Sequence, residues 1–142
     1  MSQSDPDRLV ARLMGSPHCV ALGFSLVAVE PGAVHLAAPW REDLVGDPDT
    51  QVIAGGVITS LLDHACGMAV TSLSPERGGG PTLDLRIDYM RPAAPRTGVT
   101  AAARCYKVTR SIAFLRAVAW DVDEADPVAT AQGAFVLPDP TT

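Results

Sequence analysis

Residues 52–73 read VIAGGVITSLLDHACGMAVTSL, and the fold turns on what this stretch becomes. It is too long for a single buried strand, and its only breakers are Gly55, Gly56 and Gly67, so it reads as one long helix over 54–74. At about 100° per residue, Ala54, Ile58, Leu61, Leu62, Ala65 and Ala69 share a broad apolar face. Gly56, Ser60, Asp63, Gly67 and Ser74 fall opposite. A helix this apolar needs a cover, and the chain supplies strands.

Directly downstream, TLDLRIDY (82–89) alternates strictly, with Leu83, Leu85, Ile87 and Tyr89 on one face and Thr82, Asp84, Arg86 and Asp88 on the other. That is a half-buried strand. Residues 98–108 and 111–121 read as two more, joined tightly at Thr109 and Arg110, and 128–137 follows the Asp/Pro turn DEADP. Upstream, LGFSLVAV (22–29) and AVHLAA (33–38) form a hairpin across Glu30, Pro31 and Gly32. Before them, Asp5 to Met14 suits a short helix ended by Gly15 to Pro17. Strands grouped after one long helix imply an α+β domain, an antiparallel sheet wrapped around that helix.

The whole chain, 1–142, is expected to be a single domain: an N-terminal helical segment (1–17), the first hairpin, the central helix (54–74) and a four-strand C-terminal part (82–137). Its 142 residues suffice for a core without staples. An apolar content of 47% with 19% charged residues argues against disorder. A net charge of −5 with scattered Lys and Arg leaves no basic stripe, so no nucleic-acid partner is expected. No apolar run is read as reaching the roughly 18 residues a bilayer crossing needs, and Met1 to Arg8 lacks the look of a leader, so no membrane partner and a cytoplasmic location are expected. Cys19, Cys66 and Cys105 lack CxxC spacing and sit in apolar contexts, which suits buried, reduced thiols.

Asp63 is the acid to explain. On one reading it faces water or bonds a neighbouring hydroxyl. On the other, Gly55 and Gly56 offer unpaired backbone N–H groups at the positive end of the helix, able to hold an oxyanion, while Asp63 supplies a carboxylate about 10 Å further along. One chain can hardly bring both to a single carbonyl, so this second reading suits a site shared across an interface.

The segment AGGVITSLLDHACGMAV resembles the HGG-initiated helix of the phenylacetate-type hotdog thioesterases, whose acid lies nine positions after the histidine, as Asp63 lies nine after Ala54. TLDLRIDYMRPA is similar to the strand that follows, and GVTAAARCYKVTRSIAFLRAVAWD with PVATAQGAFVL to the closing strands. The resemblance spans about residues 20–137. It implies a single hotdog domain that assembles as a homodimer, usually paired into a tetramer, with acyl-CoA as substrate and no cofactor besides the coenzyme A of that substrate. It implies an acyl-CoA thioesterase in which the N–H of Gly55, with Gly56 beside it, polarises the thioester carbonyl. Asp63 of the other subunit serves as nucleophile or general base, and Thr82 helps place the water.

Two departures stand out. Ala54 occupies the histidine position, and the asparagine or glutamine usual in the preceding loop has no clear match in GDPDTQV, where Gln51 is the nearest substitute and Asp47 the next. Arg91 and Arg110 are candidates for the phosphates of coenzyme A. Trp40, Leu44 and Val45, in the aperiodic loop 39–51, either line an acyl pocket or anchor that loop. Alternatives are a non-catalytic acyl-CoA-binding hotdog protein, or a hotdog dehydratase or hydratase, which would need a histidine that Ala54 does not supply.

Other constellations carry less. His64 and Asp63 are adjacent on a helix and point about 100° apart, so His64 reads as structural. A G-x-S-x-G elbow is absent. Gly78 to Gly80 lacks the Lys-Ser/Thr of a phosphate loop and reads as a flexible connection. His18, His35 and His64 lack metal-ligand spacing, so no metal site is expected.

Overall fold

The computed structural model describes residues 6–140. The helix start expected at Asp5, and part of the Met1 to Arg8 segment, lie outside the described residues. Helix α1 spans Pro6–Met14, with Asp7 in its first turn and Arg12 in its last, charges that suit the helix dipole. A second helix, α2 (Pro17–Leu22), follows where the sequence suggested only a breaker and the start of a strand. Its caps explain it. The Ser16 hydroxyl accepts from the Cys19 amide at 3.4 Å, Pro17 takes the first turn, and Gly23 closes the end at φ +70°.

Strands β1 (Ser25–Glu30) and β2 (Ala33–Ala38) form the first hairpin. The segment read as an aperiodic loop holds a 3-10 turn at Glu42–Leu44 and a small ribbon of β3 (Val45–Asp47) with β4 (Val52–Ile53). Helix α3 is Gly55–Leu73, and β5 (Thr82–Tyr89), β6 (Val99–Val108), β7 (Ile112–Trp120) and β8 (Ala129–Val136) complete the sheet. Its order is β1-β2-β6-β7-β8-β5, with every neighbouring pair antiparallel. The first strand after the helix is therefore an edge, and β1 is the other.

One face of this sheet wraps α3. Its inward positions are Val34 and Leu36 of β2, Ala101 and Ala103 of β6, Ala113, Leu115 and Ala119 of β7, and Phe135 of β8, all buried. Alanine at so many of them lets the helix lie close to the backbone, and the larger Ile58, Leu61, Leu62, Cys66 and Val70 of α3 fill the space between. Leu61 and Leu62 are wholly buried, so trimming either to alanine would cost about 2–5 kcal/mol. By length and composition α3 is apolar enough to cross a bilayer, which the run-length expectation overlooked. Here 56% of its most apolar window is buried inside the domain.

Candidate active site

The half-buried Asp63 sits midway along α3. Its partner is the hydroxyl of Thr82, which donates to Asp63 Oδ1 at 2.8 Å. Strict alternation had put Thr82 on the face opposite Leu85, Ile87 and Tyr89. A β-bulge between Thr82 and Asp84 reverses that parity: Thr82 pairs with Phe135 and Leu85 with Gly133, both inward positions of β8, while Asp84 pairs with the outward Ala134. The hydroxyl is thereby aimed at the helix.

Asp63 and Thr82 line a cavity of about 470 Å³. Leu9, Arg12 and Leu13 of α1 form another wall, with His64, Met68 and Phe135 below. Sequence reasoning gave this segment a short helix but found no link between it and the acid. Gly79 and Gly80 close the rim, and they are not the loose connection expected: a Cβ on Gly80 would overlap the Val136 carbonyl, and one on Gly79 would lie 2.6 Å from Thr71 Oγ1. Close backbone approach requires glycine there.

His64 also faces this cavity, its ring 6.4 Å from that of Phe24. Burial pushes its pKa below the ordinary histidine value, against the opposing pull of the Leu13 backbone and the Asp63 charge. Its Nε2 is buried without a partner. Burial thus disfavours the charged form of the ring beside the acid.

The helix start forms a second hollow, about 360 Å³, lined by Gly55, Ile58, Tyr89 and Met90 among others. Gly55 and Gly56 are exposed, and as the first residues of α3 their amides have no intrahelical acceptor. At 1.5 Å per residue they lie roughly 12 Å along the helix from Asp63. Asp63 and the helix-start amides of one chain thus line two separate hollows. Ala54 caps the helix through its backbone alone.

Several expected contributors are engaged elsewhere. Asp47 accepts from the Asp49 amide and the Thr50 hydroxyl, each at 3.0 Å. Gln51 adopts φ +60°, gives its side-chain amide to the Pro48 carbonyl at 2.6 Å, and accepts from Trp40 Nε1 at 2.8 Å through its own carbonyl. Both residues build the entry loop, and Trp40 anchors it. Arg91 lines the helix-start hollow, where its guanidinium holds both oxygens of Asp121, at 2.9 and 2.7 Å, and the Asp126 carbonyl. Arg110 is exposed at the β6–β7 hairpin, its carbonyl taken by Arg77, and lies outside both hollows. Tyr89 and Thr59, which meet at the helix start, were missed; only the aromatic residue ending the alternating strand hinted at them.

The thioesterase superfamily model matches residues 50–128, from the entry loop through β7. The chain belongs to the thioesterase superfamily. A relative from Halobacterium salinarum, provisionally named an esterase, is 33% identical over 122 residues, covering 80% of each chain. This thioesterase-superfamily member is also similar to a solved structure from Pseudomonas aeruginosa, 37% identical with a TM-score of 0.82 over 91% of this chain and 96% of that one. A variant of the phenylacetic acid degradation protein PaaI from Thermus thermophilus is 28% identical with a TM-score of 0.74, over 85% and 98% respectively. The protein is a hydrolase with a PaaI-like hotdog fold.

Proposed function

We propose that this thioesterase-superfamily protein hydrolyses an acyl-CoA thioester to a free acid and coenzyme A, with Asp63 as its catalytic carboxylate. The observation that carries this is the 2.8 Å bond from Thr82 to Asp63 Oδ1 inside a cavity large enough for an acyl group. A carboxylate fixed at one oxygen keeps the other for chemistry. As general base it takes a proton from water while the water oxygen bonds to the carbonyl carbon. The carbonyl oxygen, now negative, accepts from the helix-start amides of Gly55 and Gly56. Collapse breaks the C–S bond, and the thiolate of coenzyme A leaves. As nucleophile, Asp63 instead forms a mixed anhydride that water cleaves. Label found in Asp63 after a single turnover in ¹⁸O-water marks the nucleophilic route with water attacking the Asp63 carbon of the anhydride, and trapping of the anhydride marks that route where water attacks the acyl carbon.

The acid and the helix-start amides meet, in this proposal, through a homodimer. The edge strand β5 carries Thr82 and exposes Leu83 and Tyr89, with Met90 just past its end, each more than half accessible. Free strand edges invite pairing with another chain, and joining two β5 edges would put the helix start of one protomer near Asp63 of its partner. Pairing of two such dimers gives the tetramer. Exposed Arg110 remains available for a coenzyme A phosphate.

The test is release of free thiol from a panel of short, long and aromatic acyl-CoAs, with binding followed in parallel by calorimetry. Turnover on at least one supports hydrolysis. Tight binding without turnover marks a binding protein instead, and hydration of an enoyl-CoA marks a hydratase.

A further inference from the structure

We infer that Tyr89, acting with Thr59, is a positioning residue that fixes and polarises the Gly55–Gly56 peptide; this rests on the proposed role of the helix-start amides. The Tyr89 hydroxyl donates to the Gly55 carbonyl at 3.1 Å and also touches the hydroxyl of Thr59. Thr59 Oγ1 lies 3.2 Å from the same carbonyl and gives its proton to the Tyr89 hydroxyl, which donates to Gly55. Two side-chain hydroxyls therefore converge on one backbone oxygen at the first turn of α3.

That oxygen belongs to the same peptide unit as the Gly56 N–H. Donors on the carbonyl side of an amide draw electron density from its nitrogen, so the N–H on the far side becomes a stronger donor. They also fix the plane of the peptide, hence the direction of the N–H. Glycine needs such an anchor more than other residues, because its backbone has the widest choice of conformations. Gly56 has none of its own: a Cβ there would meet nothing within 4 Å. Ala54 contributes no side-chain cap. The clamp from β5 supplies the order that no side chain at position 54 gives.

The same strand reaches the acid as well. Thr82 begins β5 and holds Asp63, while Tyr89 ends it and holds Gly55. One edge strand thus reaches both the start of α3 and its midpoint.

The test uses the full-length protein with Tyr89→Phe, Thr59→Val and Thr59→Ser. Tyr89→Phe keeps the ring and loses only the hydroxyl. On the best thioester of the panel, kcat is expected to fall about tenfold for Tyr89→Phe and Thr59→Val with KM within about twofold, while Thr59→Ser stays near the parent. Amide exchange at Val57, whose N–H bonds the Ala54 carbonyl at 3.1 Å, should quicken at least about fivefold in Tyr89→Phe, with the amides around Asp63 unchanged. Parent-level kcat or parent-level exchange in Tyr89→Phe would overturn the proposal. If the parent turns over no thioester, the proposed function fails on its own, and exchange still decides whether the clamp orders the peptide.

Discussion

Thr82 donates its hydroxyl proton to Asp63 Oδ1 across a sequence separation of 19 residues, and the bulge at the start of β5 makes the contact possible. If the bond holds the carboxylate for reaction, Thr82→Val lowers kcat about tenfold with little change in KM, and Thr82→Ser restores most of it. Steady-state kinetics on one thioester decide this, and a valine variant at parent rate removes Thr82 from the mechanism.

The Arg91–Asp121 pair ties the end of β5 to the end of β7. Asp121 also accepts from the Ala94 and Val122 amides, each at 2.8 Å, and its side chain is only 2% exposed. The guanidinium holds the Asp121 carboxyl well below the usual carboxylate range. A carboxyl depressed in the folded state contributes stability that is present above its unfolded value, about 4, and lost as pH falls below it. Asp121→Asn should lower the melting temperature by about 5 °C or more at pH 7, with the difference shrinking in acid. Arg91→Lys should not rescue the fork, since lysine cannot make two parallel bonds. Thermal melts at pH 7 and pH 3 check both.

His64 works with the opposite proton balance. Its pKa is lowered in the folded state, chiefly by burial, so the unfolded chain binds the proton more readily. The stability this leaves intact above about pH 6.5 declines as pH falls through the unfolded value. His64→Gln should flatten the stability profile between about pH 6.5 and 5. An unaltered slope in denaturant melts would assign the acid sensitivity to other groups.

The thiols separate by burial. Cys66 is wholly buried, and burial pushes its pKa up to about 12; Cys19 is also buried and shifted upward for the same reason. Cys105 is only partly covered. A thiol reagent at pH 8 should therefore find at most one slow site per native chain and all 3 cysteines after denaturation. Fast reaction of Cys66 in the native state would contradict the packing around α3.

How much of this was legible in the sequence depended on whether the signal was periodic. The apolar run of α3 and the alternation of 82–89 announced a helix covered by strands, because burial imposes those periods. Helix α2 stayed hidden: six residues are too few for a period, and only Ser16, Pro17 and Gly23 mark its ends. The resemblance singled out Thr82 only as a residue that helps place the water, not as the partner of Asp63, and residue parity pointed its hydroxyl away. A bulge adds a residue without marking the composition, so alternation alone could not reveal it. The Arg91–Asp121 pair was not legible because the two residues lie 30 positions apart, Asp121 just past the end of β7. Tyr89 and Thr59 escaped notice since a hydroxyl reaching a backbone oxygen leaves no spacing rule.

The central claim is that Asp63 carries the chemistry, and Asp63→Asn tests it most directly. The substitution keeps size and the capacity to accept from Thr82, but removes the base and the nucleophile. Free-thiol release from the parent's best acyl-CoA should drop by at least about a hundredfold, with the fold and melting temperature retained. Retention of more than about a tenth of the parent rate would contradict the account.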